Sequence, residues 1–333
     1  MCADLPFFDI ELPLMDNLKL MAMAKEILSK LKPSWHCESV SFKFFTAGIT
    51  NKIFCVTHPA LNSFKTDEKV IFRVFGRNTE KIINRKAEVE NWLRLAEVGC
   101  AAPLFAKFLN GIVCGYLDGE ALTVANVRDD KIVTSVFAEY HFNTTISYSH
   151  RASLPTGRVS ERFMTRSKLE NFFPQHGSCS GQSWSKQQQF DEFFTKNDIS
   201  LRKDFIKLQE LINALPTRVV FCHNDLLVHN ILYDSKSGKV SFIDYEYAGF
   251  NYQGFDIANH FCEYAGMPST IDAKALLRLA LERAAGEVLA AHFFWSAWAL
   301  VQSQNSIIDF DYLGYAIVRY KMFRSLMHVH EGA

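Results

Sequence analysis

The chain has 333 residues, 36 basic and 36 acidic side chains, and 48% hydrophobic residues, including 29 Phe. This is enough apolar material for two lobes or one large domain. Balanced charge without a basic tract argues against nucleic acid or an anionic membrane surface as the main partner. Eight cysteines without a C-x-x-C pair point to reduced thiols, not to a zinc site or a disulfide framework.

The first residues are acidic and broken by Pro6, unlike a signal peptide. Met15, Leu18, Met21, Leu28 and Leu31 recur at near-helical spacing and predict a helix over 15–31. The texture then turns to short β-type runs at Val40–Phe45, Lys52–Thr57 and Val70–Phe75. Ile82–Val98 returns to a helical pattern that stops at Gly99. Leu104–Phe108 and Ile112–Tyr116 flank Asn110-Gly111, a strong hairpin signal. These elements predict an antiparallel small lobe over 1–117, with a larger, mainly helical lobe over 118–333. The polar run 177–189 reads as a mobile surface loop. Phe205, Leu208, Leu211, Ile212 and Leu215 form one apolar helical face, ended by Pro216. The apolar run Ala290–Val301 is too short to span a bilayer.

The chemistry concentrates in Cys222-His223-Asn224-Asp225-Leu226-Leu227-Val228-His229-Asn230 and Ile243-Asp244-Tyr245-Glu246. An H-x-D-x-x-x-x-N motif alone arises often by chance. Here it follows the apolar strand Arg218–Phe221 and precedes strands at Ile231–Tyr233 and Val240–Ile243. Lys236-Ser237-Gly238 makes the turn between them, so Asp244 falls at the end of a hairpin strand. Phosphoryl transfer needs these residue types. One carboxylate accepts the proton of an attacking hydroxyl, while an amide oxygen and a second carboxylate hold Mg²⁺ against phosphates. The bland alternative, a turn Asp with a capping Asn, leaves Asp244 unexplained. His223 reads as an imidazole that orients backbone, and His229 as incidental.

Three blocks carry a resemblance to the choline/ethanolamine kinase family: His223–Asn230, Phe242–Tyr247 and Phe255–Phe261. His292–Gln302 and Asp309–Ala316 are similar to the same family. Leu226-Leu227, Gly119–Leu122 and Phe310–Tyr312 resemble its ethanolamine branch. The resemblance implies an α+β, protein-kinase-like fold of two lobes, ATP and Mg²⁺ as co-substrates, and a small amino alcohol as acceptor. It implies a cytoplasmic enzyme forming phosphoethanolamine for phospholipid synthesis, and leaves a homodimer open.

The resemblance also assigns roles. Asp225 matches the catalytic base, and Asn230 and Asp244 the metal ligands. Arg73 would reach the ATP phosphates and Glu88 would hold it. Gly48, Ile49, Thr50 and Asn51 match the phosphate loop, and Gly115, Tyr116 and Leu117 the adenine hinge. Tyr247, Glu263, Trp295, Trp298, Phe310 and Tyr315 match positions lining the amine site. Taken alone, an Arg in an apolar strand faces solvent, the phosphate loop is a plain hairpin turn, and an aromatic stripe is core. Tyr264-Ala265-Gly266-Met267-Pro268 lacks the additional tyrosine of the choline branch, so the cage for a trimethylammonium is incomplete. The rivals are a choline or dual kinase, an aminoglycoside-type phosphotransferase, and an inactive ATP-binding scaffold.

Overall fold

A computed structural model of the chain describes residues 5–45, 51–60, 66–76, 79, 83–149, 184–214, 218–263, 271–306 and 310–331. It divides into two compact units, each made of two stretches: residues 1–143 with 229–247, and residues 144–228 with 248–333.

In the first unit the β-type runs form strands. Phe7–Phe8 (β1), Ser41–Phe45 (β2), Asn51–His58 (β3), Glu68–Phe75 (β4), Leu104–Phe108 (β5) and Gly111–Gly115 (β6) make one sheet in the order β1-β5-β6-β4-β3-β2. Every pairing is antiparallel except β1 with β5. Two residues are too few to show a period, and the sequence gives no sign of β1. Helix α1 (Asn17–Leu31) is capped by Asp16, whose side chain accepts from the Lys19 N–H. It buries Leu20, Ala24, Ile27 and Leu28 against one sheet face. Alternation along β4 sends Val70, Phe72 and Val74 to that face, where the Phe54 and Phe72 rings stack 5.0 Å apart. Ile71 and Phe75 take the other face and meet Trp92 of helix α2 (Arg85–Glu97). The same period puts Arg73 on the α2 side. It is buried there at 3% exposure, instead of facing solvent as its sequence context alone suggests.

Beyond β6, Glu120–Ala121 (β7) pairs with Ile231–Asp234 (β9), which forms a hairpin with Lys239–Phe242 (β10). Residues 118–143 and 229–247 group with the first unit.

Helix α3 (Asp130–Ser149) carries the chain into the second unit. The run 177–189 is corrected in part. Residues 177–183 lie outside the described residues, but Trp184–Phe190 is a helix, α4. Lys186, Gln188 and Gln189 are exposed, and Phe190 anchors the helix by stacking 5.0 Å from Phe194. Helix α5 (Leu201–Asn213) follows, with Phe205, Leu208 and Ile212 buried. A two-stranded ribbon pairs Val219–Cys222 (β8) with Gly249–Tyr252 (β11). Helices α6 (Gln253–Cys262), α7 (Ile271–Asn305) and α8 (Tyr312–Glu331) complete the unit. Residues 286–300 of α7 are all buried, which explains the apolar run as a core helix. Among the described residues no helix is long and apolar enough to cross a membrane.

Candidate active site

In the second unit, β8 delivers the motif loop. Asn224 follows in the left-handed region (φ 67°), a conformation that costs a side-chain-bearing residue free energy and needs support. Helix α6 supplies it. Asp256, fully buried, accepts from the backbone N–H groups of His223 and Asn224 at 2.6 Å each. One turn on, His260 Nδ1 lies 3.2 Å from the Leu226 carbonyl oxygen, which can only accept, so this nitrogen carries the proton. Burial holds the His260 pKa down to about 4 against the opposing pull of that bond, so the ring is neutral. At the helix end, Glu263 Oε2 accepts from the Val228 N–H at 3.4 Å. Asp256, His260 and Glu263 share one helical face and splint the loop that carries Asp225. The Asp225 N–H donates to His223 Nδ1 at 3.3 Å. Sequence reasoning found Glu263 but missed Asp256 and His260. A polar stripe at helical spacing on an otherwise apolar helix was the available signal.

The expected aromatic residues of this unit form one chain of ring contacts. Trp295 meets Trp298 edge-on at 5.4 Å, Trp298 meets Tyr312 at 5.8 Å, and Phe310 meets Tyr312 at 4.8 Å and Tyr315 at 6.0 Å. Trp295 Nε1 donates to Asn259 Oδ1 at 2.7 Å, so its polar edge is used inside the fold. Burial pushes the Tyr315 phenol up; Arg319 opposes this, while Glu263, Cys262 and Asp225 add to it. Asp225, Glu263 and Arg319 therefore all act on one tyrosine. The Arg319 guanidinium lies 5.8 Å from the Tyr315 ring centre, a neighbour the sequence did not suggest. Tyr247 belongs instead to the first unit, in the short turn Tyr245–Tyr247. Residues 264–268 and Asp309 lie outside the described residues.

In the first unit the hairpin register pairs Ile231 with Phe242, and the Ile243 N–H donates to the Asn230 carbonyl at 2.9 Å. Asn230 and Asp244 thus flank the open end of one hairpin. Asp244 is left-handed as well (φ 67°). The expected ion pair forms, with Arg73 Nη1 3.3 Å from Glu88 Oε1. Asn84 caps α2 and sets the first turn on which Glu88 sits.

Two further carboxylates hold Arg73: Nη2 lies 2.6 Å from Asp244 Oδ1 and 2.5 Å from Glu246 Oε2. Arg85 joins them, 2.7 Å from Glu88 Oε2 and 3.3 Å from Glu246 Oε2, and it donates to Asn51 Oδ1 at 3.2 Å. Asn51 Nδ2 donates to Glu246 Oε2 at 3.0 Å. Burial alone would lower the Arg73 pKa, but Asp244, Glu246 and Glu88 together raise it. Burial pushes Asp244 up to about 6 against the pull of Arg73, with Glu246 and Glu88 adding to the rise. Glu246 stood inside the Phe242–Tyr247 block without a role assigned to it, and Arg85 was not singled out.

Gly48, Ile49 and Thr50 lie outside the described residues, and Asn51 opens β3 just after them. Gly115 ends β6, with Tyr116 and Leu117 next in the chain and Lys69 4.6 Å over the Tyr116 ring. The donor set at the hairpin end suits Mg²⁺. A carboxylate and an amide are hard oxygen ligands, and the Asp244 side chain keeps 25% exposure.

The sequence profile described as choline/ethanolamine kinase matches residues 42–278. Human ethanolamine kinase 2 is 35% identical over 326 residues, covering 90% of this chain and 79% of that protein. The structure of an ethanolamine kinase from Plasmodium vivax superposes with a TM-score of 0.71 at 24% identity, covering 94% of this chain and 91% of that one. A choline kinase from Cryptosporidium parvum gives a TM-score of 0.66 at 20% identity, over 93% and 97% of the two chains. These likenesses establish the kinase-like α+β fold, with an antiparallel-sheet part and a larger helical part. On the match over 42–278 and the 35% identity to a relative covered over 79% of its length, the chain belongs to the choline/ethanolamine kinase family.

Proposed function

We propose that the protein is an ethanolamine kinase, transferring the γ-phosphoryl group of ATP to the hydroxyl of ethanolamine in the cytoplasm. The observation that carries this reading is the surroundings of Tyr315. Two carboxylates, Asp225 and Glu263, and one guanidinium, Arg319, act on a ring within the aromatic chain. The two carboxyl groups offer acceptor oxygens, which suits a cation that carries N–H donors. An ammonium carries three N–H donors and needs such acceptors, whereas a trimethylammonium offers none. The named ethanolamine kinases among the relatives support the same choice.

In this reading Asp225 takes the proton from the substrate hydroxyl, and the α6 splint fixes its backbone for that task. Trp295, Trp298, Phe310 and Tyr315 form the apolar wall around the amine, and Glu263 supplies charge. Arg73, held by Glu88, faces the ATP phosphates with the loop at Gly48–Asn51, and Gly115–Leu117 bind the adenine through backbone groups. Asn230 and Asp244 would hold Mg²⁺, which neutralises charge developing on the transferred phosphoryl group when bound. A choline or dual kinase is the second reading, favoured by the continuous ring chain and by Phe310 at its exposed end. With ATP and Mg²⁺, kcat/KM for ethanolamine should exceed that for choline by about tenfold or more, from the roughly 1–3 kcal/mol lost when buried acceptors go unpaired. Equal values for the two amines would remove the ethanolamine assignment.

A further inference from the structure

Arg73 and Arg85 share three carboxylates: Glu88, Glu246 and Asp244. Two cations against Glu88 and Glu246 already balance, so Asp244 is the unbalanced negative charge. Exposure separates the three in the same way. The Glu88 and Glu246 side chains are 0% and 3% exposed, whereas that of Asp244 is 25% exposed. Of the three, only Asp244 is open to an ion arriving from solvent. Yet its Oδ1 is occupied by Arg73 Nη2 at 2.6 Å, and the same nitrogen lies 2.5 Å from Glu246 Oε2. Glu246 is itself fixed from two more sides, by Asn51 Nδ2 at 3.0 Å and Arg85 Nη1 at 3.3 Å.

We infer that Glu246 is a positioning residue that retains Arg73 while Asp244 is handed over to a divalent cation, so that Arg73 and the metal compete for one carboxylate. This rests on the kinase reading only in naming the cation. A cation brought to Asp244 must displace Arg73 Nη2 or share Oδ1 with it. Glu246 and Glu88 make the displacement inexpensive, because Arg73 keeps two buried partners afterwards. With Glu246 neutralised, Arg73 has one carboxylate fewer and holds Asp244 more tightly.

The test reads metal affinity and thermal stability, neither of which needs turnover. Mn²⁺ binding to the full chain with ADP, followed by electron paramagnetic resonance, should weaken by about fivefold or more in Glu246→Gln and tighten in Arg73→Met. In the double variant the Glu246→Gln effect should vanish, because it acts through Arg73. Equal weakening in both backgrounds would make Glu246 a metal ligand and overturn the inference. Arg73→Met leaves two buried carboxylates short of a cation and could fail to fold, so a second comparison stands without it. Asp244→Asn should melt at or above the wild-type temperature, since the remaining charges balance. Glu246→Gln should melt about 5 °C or more below it. Equal losses in these two variants would make Asp244 a structural member of the cluster and refute the claim. Absence of any Mn²⁺ binding to the wild-type chain with ADP would instead count against the kinase reading.

Discussion

The α6 splint gives the sharpest single test. Asp256→Asn keeps the size and shape of a fully buried side chain that accepts two backbone N–H bonds at 2.6 Å. The amide retains one acceptor oxygen but turns an NH₂ group toward the other N–H. One charge-assisted bond of roughly 1.5–3 kcal/mol is lost, and a buried donor is left unsatisfied at a further 1–3 kcal/mol or so. A total near 4 kcal/mol should lower the melting temperature of a chain this long by about 5 °C or more. Those bonds also hold Asn224 at φ 67°, immediately before Asp225. With that backbone relaxed, kcat should fall by more than about 10², measured well below the melting temperature, while ATP affinity changes little. A variant with unchanged melting temperature and kcat within twofold of wild type would refute the splint argument.

Three further outcomes follow from the same geometry. Asp225→Asn should cut kcat by about 10² to 10⁴ while leaving nucleotide binding intact by calorimetry; half-normal turnover would exclude Asp225 as the base. The His260 pKa lies at about 4 in the folded chain against 6.5 for a free imidazole, so between those values the unfolded state binds more protons. Stability is then full above pH 6.5 and falls by about 3 kcal/mol as pH drops to 4, and His260→Gln should flatten melting temperature against pH in that window. In Gly111→Ala, the new methyl group would collide with the Arg73 carbonyl oxygen and the Phe108 ring, so a loss of about 2 kcal/mol or more is expected in denaturant titration. A neutral result there would mean that the β5–β6 hairpin yields more readily than its tight pairing implies.

Strands β2 to β6 and helices α1 and α2 were legible because packed elements write their pattern into the sequence, whereas the two-residue β1 and β7 were not. Val70–Phe75 reads as a near-continuous apolar run, as expected of a strand covered on both faces, and the observed β4 adds only Glu68 and Lys69. The pairing of Arg73 with Glu88 was implied by the family resemblance, and the two side chains lie 3.3 Å apart. What stayed hidden depends on long-range contact. Glu246 reaches Arg73 and Asn51 across more than 170 positions of sequence. β11 is a four-residue strand whose only signature is its partner β8. Composition misled over 184–189, where polar side chains describe the wet face of a helix whose anchoring rings lie farther along.

The interleaving of the two units has a consequence for how the chain is made and cut. Residues 229–247 belong with the amino-terminal sheet, but 144–228 lie between them and do not. A fragment ending at residue 117 would contain Arg73, Arg85 and Glu88 but neither Glu246 nor Asp244, leaving two guanidinium groups against a single carboxylate. It would also lack both β7 and β9, which pair with each other when the chain is whole. During synthesis the amino-terminal sheet must therefore wait, with an uncompensated buried charge, until the hairpin ending in Tyr247 has cleared the ribosome. Expression of either part as a contiguous segment should give aggregated or protease-sensitive material, whereas co-expression of complementary fragments cut within 177–183 keeps every pairing described for the first unit.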